Sequence, residues 1–316
     1  VLVWFRFRPR VRRMTGPKPA LRAYVMLAFV MLFWSGNSIV GRAFRDDIPP
    51  FTLALVRWSG AIVLLLPFAL AHVVAEWALI RRNWPPILLL GLVGVATFNG
   101  LLYSGLHDTT AANALLLQAL IPALVLLISA ALFGDRASPG QIAGVVLSTI
   151  GVAVIVFRGE PMAIIRLHFG FGDGLILCAC VAWAIYTAGL RLRPPIHPMS
   201  LLFSTFLVGA VATIPLALTE LRGVEAIDWR PSIFAAFAYV AIFPSVLAYF
   251  LYNSAVAQIG PGPAGQTISL MPLIGAVLAT LLLSEPLHAY HGVGMAAILT
   301  GVLVTGYASS RTWRRA

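Results

Sequence analysis

Charged residues are scarce in this chain, and their absence is concentrated in long runs. Only 10% of the 316 residues are charged, whereas 60% are apolar. The runs that carry no Asp, Glu, Lys or Arg are 23–41, 85–106, 109–133, 138–157, 174–190, 197–219, 231–256, 261–284 and 286–310. One further run, 50–74, contains a single charge, Arg57. This composition excludes an ordinary soluble domain, in which about 45–50% of residues are apolar.

The uncharged runs have the length of membrane-spanning helices. About 20 apolar residues, at 1.5 Å per residue, cross a hydrocarbon core of about 30 Å. The runs show no strict alternation of polar and apolar residues, which excludes the strands of a transmembrane barrel. The sequence therefore predicts an all-α integral membrane protein with about ten transmembrane helices.

Acidic residues are also few, and the basic excess is distributed unevenly. The chain has 22 Lys and Arg against 11 Asp and Glu, a net charge of +11. If the amino terminus lies in the cytoplasm, most Lys and Arg fall in cytoplasmic segments and few in outer loops. This asymmetry follows the positive-inside rule, so we expect a bacterial inner-membrane protein with both termini in the cytoplasm. The basic charge is thus a topology signal, and no nucleic-acid partner is expected.

Only two cysteines are present, Cys178 and Cys180, within one apolar run. Residues two apart in a helix lie on different faces, which argues against a disulfide and against a metal site. We expect both to be small buried apolar residues, with no metal or cofactor.

The motifs of membrane-embedded enzymes are absent or incomplete. The sequence contains neither His-Glu-x-x-His nor Gly-x-Ser-x-Gly. Residues 170–173, Gly-Phe-Gly-Asp, match a pattern of intramembrane aspartyl proteases. That chemistry requires two carboxylates that share one site, and no second acid lies inside any run. We therefore predict no catalytic residue.

The two ends of the chain are predicted to be cytoplasmic. Residues 1–21 form a basic segment in which Arg alternates with aromatic residues, and Met14 is an alternative start of translation. The segment does not resemble a signal peptide, because the apolar run after it is full length and lacks a small-residue cleavage site. Residues 309–316 form a short basic tail.

The chain contains an internal repeat. Pairs of similar residues 150 apart are Pro122 and Pro272, Asp135 and Glu285, Gly144 and Gly294, and Gly151 and Gly301. Pairs 149 apart are Trp34 and Trp183, Asn37 and Tyr186, Arg42 and Arg191, and Tyr103 and Tyr252. The predicted repeats are 22–157 and 171–308. Each holds five spans, and an odd number inverts the second repeat relative to the first, as in many secondary transporters.

These residues resemble a known family. Residues 33–37 (Phe-Trp-Ser-Gly-Asn), and residues 172–174 (Gly-Asp-Gly) followed by 183–187 (Trp-Ala-Ile-Tyr-Thr), are similar to the EamA family of the drug/metabolite transporter superfamily. The ends of the halves resemble it more closely, from Pro122 through residues 132–136 to Gly144 and Gly151, and from Pro272 through residues 283–286 to Gly294 and Gly301.

The resemblance covers residues 22–308 and has two departures. Asp135 stands where the family usually has Glu, and Pro286 stands where a basic residue is common. The resemblance implies ten helices with both termini in the cytoplasm. It also implies movement of amino acids, other metabolites or drugs, often outward.

Polar and aromatic residues inside the runs are candidates for a substrate cavity. Those that share a helix face or a repeat position are Trp34, Asn37, Asn99, Tyr103, Gln118, Trp183, Tyr186, Tyr252 with Asn253, and Gln266. Amides and phenols buried in lipid need partners, and a polar cavity supplies them. The alternative is that Trp and Tyr form interfacial belts and that Asn and Gln bond between helices.

Arg57 is the one charge well inside a run, seven residues past Pro50 and about 10 Å below the outer edge. It is expected either to extend to the outer interface or to Asp46 and Asp47, or to bind a substrate carboxylate.

Other features have a structural and a functional interpretation. Pro122 and Pro272 lie inside runs and are expected to kink them, as gate hinges or as packing irregularities. Gly140 and Gly144 allow close helix packing, within the bundle or at a dimer face. Asp135 and Glu285 are expected to cap or pair at helix ends. His107 is the one weak candidate for a proton site.

The sequence thus favours a secondary transporter that moves small metabolites, amino acids or related compounds, by alternating access. The alternatives are a multidrug carrier of the same fold and a membrane scaffold that does not transport. A channel is disfavoured because no ring of charges or carbonyls repeats. The expected partners are a small-molecule substrate and membrane lipid, and the protein is expected to be a monomer or a homodimer.

Overall fold

The described part of the chain is helical and contains no strand. The structure, a computed structural model, describes residues 17–109, 114, 117–160, 170–283 and 288–315. Its main helices, α1 to α10 in chain order, are Pro17–Ala43, Pro50–Ala75, Trp84–Asp108, Ile121–Phe133, Pro139–Val156, Phe171–Leu192, Pro198–Leu218, Pro231–Ile259, 261–283 and Ala289–Arg315. Short helices follow α2 and α7 at Trp77–Arg82 and Leu221–Glu225.

Eight of these helices are long and apolar enough to cross a membrane within the described residues. The other two are α4, with 13 residues, and α9, which joins Pro261–Gln266 through the 3-10 turn Thr267–Leu270 to Met271–Leu283. Apolar side chains such as Val63 and Leu303 are exposed on the outside of the bundle. The chain is therefore a multi-pass membrane protein.

Local sequence explains where the helices begin and end. Proline, whose missing N–H costs nothing in the first turn, opens α2, α5, α7, α8 and the first segment of α9. Ser138 and Gln141 form a capping box at the start of α5. Gly134 ends α4 in the left-handed conformation, with φ of 69°.

Equivalent helices of the two halves run in opposite directions. Glu220, just after α7, accepts hydrogen bonds from the backbone N–H groups of Phe51 and Thr52 at the start of α2. Glu76, just after α2, accepts from the N–H of His197 and the hydroxyl of Ser200 at the start of α7. Each glutamate therefore satisfies donors at the amino end of the other helix. The second half is inverted relative to the first.

Burial and backbone distortion repeat in both halves. The buried positions of α2 recur in α7 at a shift of 148 residues, so that Arg57 corresponds to Thr205 and Trp58 to Phe206. The centres of α3 and α8 both widen into π-helical segments, Gly91–Thr97 and Ile242–Leu247. Because these segments correspond at the repeat shift, the distortion belongs to the duplicated unit.

Helices α5 and α10 pack through glycine. A Cβ on Gly144 would lie 2.5 Å from the carbonyl oxygen of Gly301, and one on Gly151 would lie 2.7 Å from that of Gly294. Since real Cβ atoms do not approach so closely, these backbones meet because the side chains are absent. Gly140 faces Ala308 of the same helix pair. These glycines therefore pack within the bundle.

Three predictions need correction or fall outside the described residues. Cys178 is exposed, because its side of α6 faces outward, whereas Cys180 is buried as expected. Pro122 lies at the start of α4 and does not kink it, and Pro272 lies inside α9 where its 3-10 turn meets its last segment. Each is the second residue of an α-helical segment that follows a turn, where proline needs no N–H. The basic segment before residue 17, Glu285 and Pro286, and Ala316 lie outside the described residues.

The glycine contact predicts a position-specific effect of added bulk. Gly144→Leu should lower the thermal unfolding midpoint in detergent, because overpacking a tight helix contact costs about 1–3 kcal/mol or more. Gly174→Leu is the matched control, since no heavy atom lies within 4 Å of a Cβ there. Equal midpoints for the two variants would contradict the proposed packing.

The Glu76 contact predicts a dependence of stability on pH. Its hydrogen bond from Ser200, with smaller contributions from His197 and His72, lowers the pKa of Glu76 below its ordinary value of 4.5. A carboxylate whose folded pKa is lowered contributes stability above its unfolded pKa and loses it as the pH falls through the folded one.

We therefore expect Glu76→Gln to lower the midpoint at pH 7 and to lower it by less below pH 4.5. The exposed Glu160→Gln is the control. A deficit in Glu76→Gln that is constant from pH 7 to pH 4 would contradict the assignment.

Candidate functional site

The candidate site is built around Arg57, whose side chain is only 2% exposed. Its Nε donates to Ser245 Oγ at 2.6 Å, and its Nη2 donates to the carbonyl oxygen of Pro244 at 3.0 Å. Both acceptors lie in the π-helical segment of α8. The guanidinium therefore joins α2 of the first half to the centre of α8 in the second.

The Nη1 edge of the guanidinium contacts the first half. Its Nη1 donates to Asn99 Oδ1 at 2.9 Å and to Tyr103 Oη at 2.8 Å, both on α3, with a longer contact of 3.4 Å to Asn37 Oδ1. Tyr103 in turn donates to Asn37 Oδ1 at 2.9 Å. The Arg57 Cζ lies 4.5 Å from the ring centre of Trp58, a cation–π contact.

All hydrogen-bond acceptors of Arg57 are neutral. Within the described residues its guanidinium forms no ion pair. Asp46 pairs with Arg45, and Asp47 with Arg230. The expectation that Arg57 extends outward to these aspartates is therefore wrong. A buried charge without a counter-ion is costly, and here the described hydrogen bonds from neutral oxygens offset part of that cost.

The two π-helical segments present carbonyl groups to side chains. Pro244 O accepts from Trp34 Nε1 at 3.1 Å as well as from Arg57. Gly94 O, at the equivalent position of the first half, accepts from the hydroxyl of Tyr249 at 2.7 Å. A π-helical turn breaks the regular pairing of backbone groups and often marks a functional site.

An aromatic cluster lies beside Arg57 at the boundary between the halves. The rings of Trp34 and Trp183, equivalent in the repeat, meet edge to face with centroids 4.9 Å apart. Tyr252 and Tyr249 pack against both tryptophans, and Phe98 packs against Trp183. Trp34 is 9% exposed and Trp183 1%, so neither belongs to an interfacial belt. That position is taken by exposed tryptophans at helix ends, Trp77, Trp84 and Trp229.

The second half has a hydrogen bond like that between Asn37 and Tyr103, but the tyrosine and the asparagine stand on the opposite helices of the pair. Tyr186, equivalent to Asn37, donates to Oδ1 of Asn253 at 2.8 Å. The hydroxyls of Tyr252 and Thr187 lie 3.0 Å apart. The tyrosine–asparagine bond thus occurs on both sides of the tryptophan pair, but only the first half adds a guanidinium.

Two spaces adjoin these residues. A central cavity of about 30 Å³, enough for one or two water molecules, is lined by Trp34, Asn37, Arg57, Phe98, Leu102, Gln118, Ile121, Trp183, Tyr249, Ile268 and Met271. A larger vestibule of about 630 Å³ has Asn253 among its lining residues. It lies between the amino end of α1, the end of α6, the start of α7 and the second half of α8. The tyrosine–asparagine pair of the second half lies where the vestibule ends.

The predicted site residues divide into two groups. Trp34, Asn37, Arg57, Gln118 and Trp183 line the cavity. Asn99, Tyr103, Tyr186 and Tyr252 surround it through the hydrogen bonds and ring contacts described above.

Gln266 and His107 lie elsewhere. Gln266 donates to Ser148 Oγ on α5 at 2.7 Å, because its side of α9 faces the α5–α10 pair. His107 is exposed near the end of α3.

Sequence reasoning missed several contributors. Tyr249 bonds Asn99 at 3.4 Å, and the two residues are 150 apart, the shift that marks the repeat. Comparison at that shift would have identified Tyr249. Proline inside a run is a signal for this segment, because the missing N–H of Pro244 leaves the carbonyl of Val240 without its helical donor, and that carbonyl accepts from Ser245 Oγ at 2.6 Å. No sequence signal indicates that Glu76 and Glu220 would cap opposite helices.

Neither metal binding nor a carboxylate pair is indicated by the part of the chain that the structure describes. No group of three His, Cys, Asp or Glu is placed to hold a metal ion among these residues. Asp173 caps α6 by accepting from Gly170 N at 2.7 Å and also bonds the Thr109 hydroxyl. Asp135 pairs with Arg191, as expected for a helix-end acid.

The chain is similar to membrane transporters over nearly its whole length. The EamA-like transporter family matches residues 21–157 and again residues 170–307. The uncharacterized transporter YetK of Bacillus subtilis is 28% identical over 309 residues, which cover 95% of this chain and 92% of that protein. An uncharacterized transporter of Archaeoglobus fulgidus is 28% identical over 90% of this chain and 97% of its own length.

Two further comparisons agree with these. The uncharacterized inner membrane transporter YedA of Escherichia coli is 24% identical over 86% of this chain and 87% of that protein. One solved crystal structure matches with a TM-score of 0.72 at 20% identity and covers 92% of this chain and 98% of that chain. At this identity the structural likeness shows the fold alone.

Proposed function

Since the chain belongs to the EamA-like transporter family, we propose that it is a secondary transporter that exports small carboxylate-bearing metabolites, amino acids or related compounds, by alternating access. The membrane is the bacterial inner membrane. The family and the transporter names of its relatives favour transport over catalysis.

The observation that carries the proposal is the buried, unneutralised Arg57 next to the tryptophan pair. The present hydrogen bonds use four of the five N–H groups of Arg57, so a carboxylate would pair with its charge and with the remaining N–H of Nη2, and a second parallel bond would replace one of the neutral acceptors. Trp34 and Trp183 supply apolar surface for the rest of the solute. Arg57 and the tryptophan pair lie where the two halves meet, which is where inverted-repeat transporters bind their substrates.

Alternating access follows from the symmetry of the halves. In an inverted repeat, each half can adopt the conformation of the other. The exchange of the two conformations gives a second state that opens to the opposite side of the membrane. The described conformation has a vestibule on one side and a central cavity of about 30 Å³, too small for an amino acid. Loading therefore requires the hydrogen bond between Tyr186 and Asn253 to open. Exchange would open the equivalent bond between Asn37 and Tyr103 on the other side.

The proposed topology has ten spans with both termini in the cytoplasm. The eight long helices, together with α4 and 261–283, make the ten. The excess of Lys and Arg in the alternate segments supports this orientation. It places the vestibule, whose lining includes Arg22 and Arg193, at the cytoplasmic face.

Replacing the site residues should change transport more strongly than it changes the stability of the protein. Purified protein in vesicles is tested against a panel of labelled amino acids and other carboxylates. We expect Arg57→Gln to weaken apparent affinity about tenfold to a hundredfold, because losing a charge-assisted bond costs about 1.5–3 kcal/mol. Arg57→Lys should recover part of the loss, since the charge remains but the paired geometry does not.

The matched variants separate binding from folding. Arg45→Gln removes an exposed arginine that pairs with Asp46 and should transport normally. Trp34→Ala and Trp183→Ala should change selectivity or abolish flux at unchanged membrane abundance. Wild-type kinetics in Arg57→Gln and both tryptophan variants would remove these residues from the site. Vesicles inert to the whole panel would favour the scaffold.

The topology makes its own prediction. A fluorescent reporter that matures only in the cytoplasm, fused at the carboxyl end, should be bright, and alkaline phosphatase fused there should be inactive. The same two reporters fused after Glu160, in the predicted outer loop, should behave the other way: the fluorescent reporter should be dark and the alkaline phosphatase active. A periplasmic carboxyl end with a cytoplasmic amino end would mean an odd number of spans and would refute the inverted carrier.

A further inference from the structure

We propose that the exported solute crosses as a net anion, and that the membrane potential drives its exit without a coupled proton. This inference rests on the proposed transport function. It narrows the substrate class within the carboxylates to those without a compensating ammonium group, such as 2-oxo or 2-hydroxy acids with a small apolar body.

The first argument is the charge of the central cavity. Arg57 is the one charged side chain among its lining residues, and the neutral polar groups are the amides of Asn37 and Gln118, the phenol of Tyr249 and the indoles of Trp34 and Trp183. A carboxylate placed against Arg57 would neutralise the site. A zwitterionic amino acid would bring an ammonium that finds no carboxylate among the described residues of the cavity, and desolvating this group costs several kcal/mol. The site therefore prefers the anion to the zwitterion.

The second argument is the charge of the vestibule. Its lining contains Arg22 and Arg193 and no acidic side chain. Clefts lined by charge of one sign concentrate ions of the opposite sign. The same sign of charge thus occurs at the entrance and at the centre, which matches one anionic solute along the whole path.

The third argument concerns protons. Proton-coupled carriers use carboxylates or histidines inside the membrane. The titratable side chains hydrogen-bonded to Arg57 or to its partner Asn99 are the phenols of Tyr103 and Tyr249, and the phenol of Tyr239 lies near enough to interact electrostatically with Arg57. The remaining described neighbours of Arg57 are the amides of Asn37 and Asn99, the hydroxyl of Ser245, the carbonyl of Pro244 and the ring of Trp58. The described hydrogen-bond and ring partners of Arg57 thus include no carboxylate and no histidine.

The charge balance of the cycle then fixes the driving force. After one complete cycle the protein returns to its starting state, so the charge of Arg57 contributes nothing to the net movement. The charge that crosses is that of the solute. A monoanion that leaves a cell with a negative interior moves down the potential, which is worth about 2.3 kcal/mol per 100 mV. This corresponds to an outward concentration ratio of about fifty-fold per 100 mV.

The test uses the purified full chain in vesicles, with a potassium gradient and valinomycin to set the potential. The probes are matched trios on one carbon skeleton: L-leucine, 4-methyl-2-oxopentanoate and isopentylamine, with the corresponding phenylalanine and alanine trios. We expect protein-dependent flux of the 2-oxo acid, with a final distribution that shifts about tenfold per 59 mV toward the positive side. A protonophore added at clamped potential should leave the flux and the final distribution of the 2-oxo acid unchanged. The control variant Arg45→Gln should behave as wild type.

Two results would overturn the inference while leaving the carrier in place. One is faster flux of the amino acid than of its 2-oxo analogue, with no effect of the potential. The other is 2-oxo acid flux that collapses with the proton gradient at clamped potential. If no compound of any trio shows protein-dependent flux, and none of the broader carboxylate panel does, the proposed function itself fails.

Discussion

The site depends on holding one guanidinium away from water. Arg57 is accommodated in the centre of the bundle because four of its five N–H groups meet oxygens, two on α8 and the others on α3 with a longer contact to α1. These oxygens satisfy the hydrogen bonds but not the charge. In the proposed transporter, the protein provides the geometry and an anionic solute would provide the neutralising charge. Both α8 acceptors, Ser245 Oγ and the carbonyl of Pro244, lie in the π-helical segment, where the regular pairing of backbone groups is broken.

The two halves supply a common frame and unequal chemistry. Tryptophans face each other across the boundary, and a tyrosine–asparagine bond occurs on either side. Yet Thr205, the counterpart of Arg57, donates its hydroxyl to Leu201 O of its own helix and does not enter the centre. The frame fixes where the halves meet, and the divergent positions determine what is bound there.

Much of the fold was predictable because it follows from local and periodic signals. Uncharged runs define the helices, and paired residues at a constant shift define the repeat, confirmed by the two family matches. The orientation of single side chains was less predictable. Gln266 lies one helix face away from the cavity, and Cys178 faces outward, because a run that is apolar on all sides does not reveal which face is buried. The contacts of Glu76 and Glu220 join residues more than a hundred positions apart and leave no local pattern.

The unequal division of charge between the halves has an evolutionary meaning. Two free copies of the first half, assembled as an antiparallel dimer, would bring two guanidiniums to the same centre, where they would repel each other. Two copies of the second half would bring none. A centre with a single positive charge therefore requires two halves of different sequence, and fusion in one polypeptide keeps two such halves together in equal number.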